Sequence, residues 1–163
     1  KPPYKTARKF SDLKQGEYIF YTEYSHEFSR YHSLWYDSKF LFNMDEKPKK
    51  SYKKILPSNI SELLVDPVAL AVWYLDDGSK RIDSNACRFA SQSFSEKENI
   101  KLQECLQSNF NLYSTIDKWW DKKSNRFIYG ICIPSKNSSY KDFKKLIYDF
   151  VEAEIPSMLY KLQ

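Results

Sequence analysis

Glycine is nearly absent. Only Gly16, Gly78 and Gly130 occur in 163 residues, so each is expected where backbone freedom or close approach is needed. Cysteine is scarce too. Cys87, Cys105 and Cys132 are odd in number, widely spaced and form no CxxC pair, which reads as reduced core thiols in an intracellular compartment. His26 and His32 lie far from all three, so no zinc site is expected. No apolar run approaches the ~18 residues of a membrane span. The first ten residues, "KPPYKTARKF", hold no apolar signal-peptide core and no initiator Met, which fits processing or trimming.

Aromatic residues are plentiful. They make up 17% of the chain within a hydrophobic total of 42%, which supports a packed core and argues against disorder. The length suits one domain, or one plus part of another. The net charge of +5 is uneven: residues 1–60 carry 12 Lys/Arg against 7 Asp/Glu, and residues 61–163 carry 14 of each. A basic excess beside many tyrosines fits a nucleic-acid surface, and equally a solvated lysine-rich one.

Gly16 sits in the turn "KQGE" before an alternating run, "YIFYTEY", that predicts a strand. "SHEFSRYHSLWY" predicts a helix capped by Ser25, with His26 and His32 in structural or surface roles. "DEKPKKSYKKILPSNI" reads as a basic loop and linker. Asp66-Pro67 marks a helix start that runs to about Asp76. "KRIDSNACRFASQSF" predicts two strands turning near residues 83–85, and "SEKE" is a capping box opening a helix through Phe110. "NLYSTIDKWW" and "NRFIYGICIP" predict two further strands around the turn "DKKS", with one of Trp119 and Trp120 expected in the core. "SYKDFKKLIYDFV" closes as a helix with Phe143, Leu146, Ile147 and Phe150 on one face. Residues 66–163 thus read αββαββα, and residues 17–60 read as the second half of that pattern.

"LAVWYLDDGSK" is apolar on nearly every side and then ends on Asp76, Asp77 and Gly78. Such a helix is expected to be packed all round. Acids at its C-terminal end face the negative pole of the helix dipole, so a compensating cation is expected. A divalent ion such as Mg²⁺, which takes one or two carboxylates with phosphate oxygens and water, would serve. A solvent-exposed turn is the plain alternative.

The stretch resembles the second motif of the LAGLIDADG homing endonucleases: Leu70-Ala71 match its opening and Asp77-Gly78 its close. "ASQSFS" resembles the strand segment bearing a polar residue near the cleavage site, here Gln92. "IPSMLYKL" and "KKILPSNI" resemble the segments that end the second and first domains, with basic residues Lys161 and Lys54. The resemblance implies an α+β saddle whose sheets lie along DNA, with Asp77 binding Mg²⁺ and Gln92, Lys161 and Lys54 positioning water or stabilising charge. Asp76 falls on the variable position before the metal ligand. Lys80, Arg81, Arg88, Lys118 and Arg126 are candidate contacts to double-stranded DNA, and strict alternation puts Arg88 and Ala90 on the face of Gln92, which a β-bulge would reverse.

A first motif is missing. The expected organisation is therefore the C-terminal part of a first repeat plus linker in residues 1–60, and a complete domain in 61–163. A second protein chain is expected to supply the other motif helix. The activity implied is metal-dependent double-strand cleavage of a long site, by the chain or by one subunit of a split enzyme. The alternatives are an RNA-binding maturase or a structural subunit of a ribonucleoprotein such as an organellar ribosome. The abundance of Lys, Tyr, Phe, Ile and Asn matches A+T-rich coding and points to a mitochondrial or plastid setting.

Overall fold

The structure is a computed structural model, and it describes residues 25–41 and 49–163. The strand expected after Gly16 lies outside them. The chain divides into two compact units, 1–33 and 34–163. Most of helix α1 (His26–Trp35) belongs to the first. It begins where Ser25 Oγ accepts the Glu27 N–H at 3.2 Å, and His26 and His32 are exposed on it.

The second unit opens with an antiparallel pair, β1 (Tyr36–Leu41) and β2 (Lys49–Lys54), in which Tyr36 faces Lys54. Part of the expected basic linker is therefore a strand. Its lysines satisfy their backbone by pairing, which a composition reading of "PKKSYKK" did not register. A short helix α2 (Ile60–Leu63) follows, then α3 (Pro67–Asp77), β3 (Ser79–Lys80), β4 (Cys87–Phe89), α4 (Glu96–Phe110), β5 (Thr115–Asp121), β6 (Arg126–Ile133) and α5 (Ser139–Glu154). A 3₁₀ segment, Pro156–Leu162, ends the chain. From α3 to α5 the order is αββαββα, as expected. The strands form one antiparallel sheet in the order β3-β4-β6-β5.

Period-two alternation sorts the sheet into two faces. Cys87, Phe89, Ile131 and Ile133 point to the helices and are fully buried with Leu70, Leu102, Leu106, Phe143 and Ile147. Arg88 pairs with Cys132 and Ser79, and Asp117 with Gly130, on the opposite face. All three cysteines are buried and unbonded.

Local rules explain the helix ends. Asp66 Oδ1 accepts the Val68 N–H at 2.8 Å with Pro67 in the first turn. Ser95 and Glu98 form the reciprocal capping box, and Glu98 does more. Its Oε2 accepts from the Ser95 N–H at 2.7 Å, while Oε1 accepts from the Leu56 N–H at 2.9 Å, tying a distant segment to α4. Burial pushes this carboxyl up, but the hydrogen bonds from Ser95 and Leu56 outweigh it and hold the pKa below the ordinary value.

Helix α3 is not packed all round. Leu70, Ala71, Tyr74 and Leu75 are buried, but Val68 and Val72 are 40% and 51% exposed. Its end demands glycine for space, not for a left-handed turn. Gly78 is extended at φ −73°, and an added Cβ would lie 2.2 Å from Tyr74 Cδ2 and 2.4 Å from the Tyr74 carbonyl oxygen.

Two outcomes follow. Gly78→Ala forces that overlap and should cost about 3 kcal/mol, read as a lower urea midpoint at unchanged slope. Glu98 has a depressed pKa in the folded state, so its stabilisation is present above its unfolded pKa of about 4.3. It is lost as pH falls through the lower, folded value. Denaturation midpoints of Glu98→Gln should therefore lack the part of the acid-side decline that this group produces in the parent chain.

Candidate functional site

The acids raised by the sequence stand at the end of α3, both exposed, with β3 starting two residues later. A cation of the chain itself stands at this helix end. Lys161 Nζ donates to the carbonyl oxygens of Leu75 at 2.6 Å, Gly78 at 3.1 Å and, more weakly, Asp76 at 3.5 Å. These are the orphan carbonyls of a helix C-terminus, where a cation is favoured. The tie is reciprocal, because the Tyr74 hydroxyl donates to the Lys161 carbonyl oxygen at 2.8 Å. Burial pushes the Tyr74 phenol above its ordinary pKa, so it remains a donor. Thus Lys161, 84 positions from Asp77 in sequence, is brought to the acidic turn.

Gln92 is placed differently from the alternation reading. Strand β4 ends at Phe89, and Gln92 is exposed in a turn closed by the Phe94 N–H donating to the Ser91 carbonyl at 3.0 Å. Ser91 is turned into the sheet, where its Oγ accepts the Ile131 N–H at 3.0 Å. Buried Asn99 holds the same turn from below, with Nδ2 donating to the carbonyls of Ser95 at 3.0 Å and Phe94 at 3.2 Å. Alternation cannot be carried through a strand that has stopped pairing. Lys54 ends β2 and is exposed, and among the described residues no hydrogen bond or ion pair joins it to Asp77.

The five basic candidates divide by face. Arg81, Arg88 and Arg126 belong to the open side of the sheet, with Asp117 and Trp119 among them. Lys80 shares the parity of Cys87 on the helix side, at the exposed edge strand. Lys118 is also on the helix side, where the β5–β6 hairpin runs past the core. Its Nζ stands 4.5 Å from the Phe127 ring centroid and 5.6 Å from that of Tyr129. Neither tryptophan is core. Trp119 lies half-buried on the open face above Gly130, where an added Cβ would be 2.9 Å from the indole. Trp120 is exposed and packs edge-on to Phe127.

The open face is internally paired. Arg81 forks onto Asp83, Nε to Oδ1 at 2.8 Å and Nη2 to Oδ2 at 2.6 Å. Hydrogen bonding from Arg81 lowers the Asp83 carboxyl to about 2. Asp117 Oδ2 accepts from Arg88 Nε at 2.7 Å and lies 3.5 Å from Arg81 Nη1. Asp117, Ser91 and Asn99 did not stand out in the sequence. Asp117 alternates with Thr115 and Trp119, the only signal of its face.

The sequence profile of the LAGLIDADG DNA endonuclease family matches residues 2–143. Cytochrome b mRNA maturase bI2 of Saccharomyces cerevisiae is 29% identical over 150 residues, 91% of this chain and 31% of the maturase. DNA endonuclease I-ChuI of Chlamydomonas applanata is 30% identical over 132 residues, 80% of this chain and 57% of the endonuclease. The chain thus spans from 31% to 57% of the length of these relatives. The homing endonuclease I-WcaI, solved bound to its DNA recognition sequence, shares the fold at a TM-score of 0.54 and 22% identity, over 78% of this chain and 63% of that one. By its matched residues and its αββαββα order, this chain belongs to the LAGLIDADG DNA endonuclease family.

Proposed function

We propose that the chain supplies one half of the cutting centre of a homing-type DNA endonuclease. Its substrate is a long double-stranded DNA site, and its reaction is hydrolysis of a phosphodiester with a divalent cation, Mg²⁺. The observation that carries this reading is the junction after α3. An exposed Asp77 leads directly into β3, whose partner strand presents Arg88 on the open face. A carboxylate beside a guanidinium-bearing surface suits a reacting phosphate and its flanking duplex.

Asp77 is a hard oxygen donor, and no ion pair among the described residues occupies it. It therefore fits Mg²⁺ as one carboxylate ligand. Among the described residues no three His, Cys, Asp or Glu cluster, so a further protein ligand would come from elsewhere. We assign it to a second LAGLIDADG-type helix, on another chain or on more of the same polypeptide. The exposed stripe of Val65, Val68 and Val72 is an apolar seat for it. In this reading residues 1–60 are the C-terminal part of a first repeat and 61–163 a complete domain. Bound Mg²⁺ would polarise the phosphate and acidify its water. Asp77 orients the ion, Lys161 holds the turn that carries Asp77, and Gln92 and Lys54 position water or phosphate. Arg126, on the open face, contributes a phosphate contact beyond the centre, whereas Lys80 and Lys118 lie on the helix side and are given none. An organellar setting accords with the relatives' names and with the composition.

A second reading, binding of intron RNA without cleavage, draws on the identity to the mRNA maturase over most of this chain. Purified native material separates the two. Co-purification of a second motif-bearing chain at equal stoichiometry, with Mg²⁺-dependent double-strand cuts, fits the nuclease. RNA in its place, with no cutting, rejects it. In the cutting complex Asp77→Asn should lower cleavage by about 10²–10³ while leaving duplex affinity and folding unchanged. Lys161→Met removes the carbonyl contacts and should lower both cleavage and stability, the latter by about 1–3 kcal/mol, seen as a lower denaturation midpoint.

A further inference from the structure

Arg81 and Arg88, on the open face, are not equivalent. Arg81 has its Nε–Nη2 edge filled by Asp83, at 2.8 and 2.6 Å, and its Nη1, at the other end, lies 3.5 Å from Asp117 Oδ2. Arg88 spends only Nε, on Asp117 at 2.7 Å, and among the described residues no hydrogen bond engages its Nη1 or Nη2. That end of a guanidinium carries two parallel donors, the pair that matches O6 and N7 of guanine in the major groove. The same group lies 6.0 Å from the Trp119 ring centroid, within cation–π range. Trp119 in turn rests where Gly130 leaves room. A carboxylate on one edge and an indole against the group restrict its rotamers before any ligand arrives, which lowers the ordering cost of binding.

We propose that Arg88 reads a guanine and that Asp117 is the residue that positions it. The inference rests on the DNA-binding reading above. Asp117 has two separable effects. Its acceptor oxygen orients Arg88. Its negative charge offsets the guanidiniums and so weakens attraction to phosphates of any sequence. Discrimination rises because the unspecific term falls while the base contact stays. Arg81, with Asp83 on its Nε–Nη2 edge and Asp117 beside Nη1, acts as a strut for the β3–β4 turn.

The test is selection by the full chain from duplexes with a randomised centre, at low salt, together with affinity for one random-sequence duplex across salt concentrations. The parent chain should favour guanine at one position by about 10- to 100-fold. Arg88→Gln should abolish that preference, and Arg81→Gln should keep it. Asp117→Ala should lose it and bind random duplex more tightly, with a salt slope steeper by about 1. Asp117→Asn, which retains an acceptor, should restore part of the guanine preference but not the parent salt slope. A merely structural role would not split the two readouts in this way. If Asp117→Ala keeps the full preference that Arg88→Gln loses, Asp117 does not position Arg88. If Arg88→Gln keeps the guanine, Arg88 is not its reader. Both results leave DNA binding intact. If the parent chain enriches no sequence and does not retain random duplex, the DNA reading itself falls and takes this inference with it.

Discussion

Hydrogen bonds running both ways between the end of α3 and Lys161 join the acidic turn to the C-terminal segment. Tyr74 is fully buried between Phe89 and Phe143, with ring centroids at 5.5 and 5.0 Å. Its hydroxyl reaches the Lys161 carbonyl, and Lys161 Nζ returns to the carbonyls that end α3. Its ring and carbonyl also leave no space for a side chain at Gly78. One tyrosine therefore sets where α3 stops, which way β3 leaves, and where the C-terminal segment docks. Asp77 inherits its position from that arrangement.

The same economy operates on the sheet. Its inner face is apolar and closed by α3, α4 and α5, while the outer face holds arginines with their own counter-charges. Exposed ion pairs such as Arg81–Asp83 add little to folding. Their effect is on geometry: a paired guanidinium has fewer orientations and a weaker long-range field than a free one. A net charge of +5 thus understates the local order of the cationic groups and overstates how many are unengaged.

Much of the fold was legible in the residues. The Asp66-Pro67 start, the Ser95–Glu98 box and the spacing of Phe143 and Ile147 are local signals, and the structure keeps all of them. The β2 strand was not legible, because its lysines gain strand structure only from pairing with β1. Nor was the open side of α3. Hydrophobicity all round predicts burial, yet Val68 and Val72 are exposed, since periodicity reports what a face prefers and not what covers it. The face of Gln92 was not legible, because a strand's parity ends with its ladder.

The sequence by itself determined the family, the order of helices and strands from α3 onward, and the acids that end α3, since short-range spacing and capping encode these. Tertiary structure alone decided how Lys161 serves the acidic turn, by donating to the carbonyl oxygens that end α3. It also decided that Arg81 and Arg88 differ in what their guanidiniums have free. The ties of Lys161 to α3 and of Arg88 to Asp117 join residues dozens of positions apart, through hydrogen-bond geometry that no local pattern records.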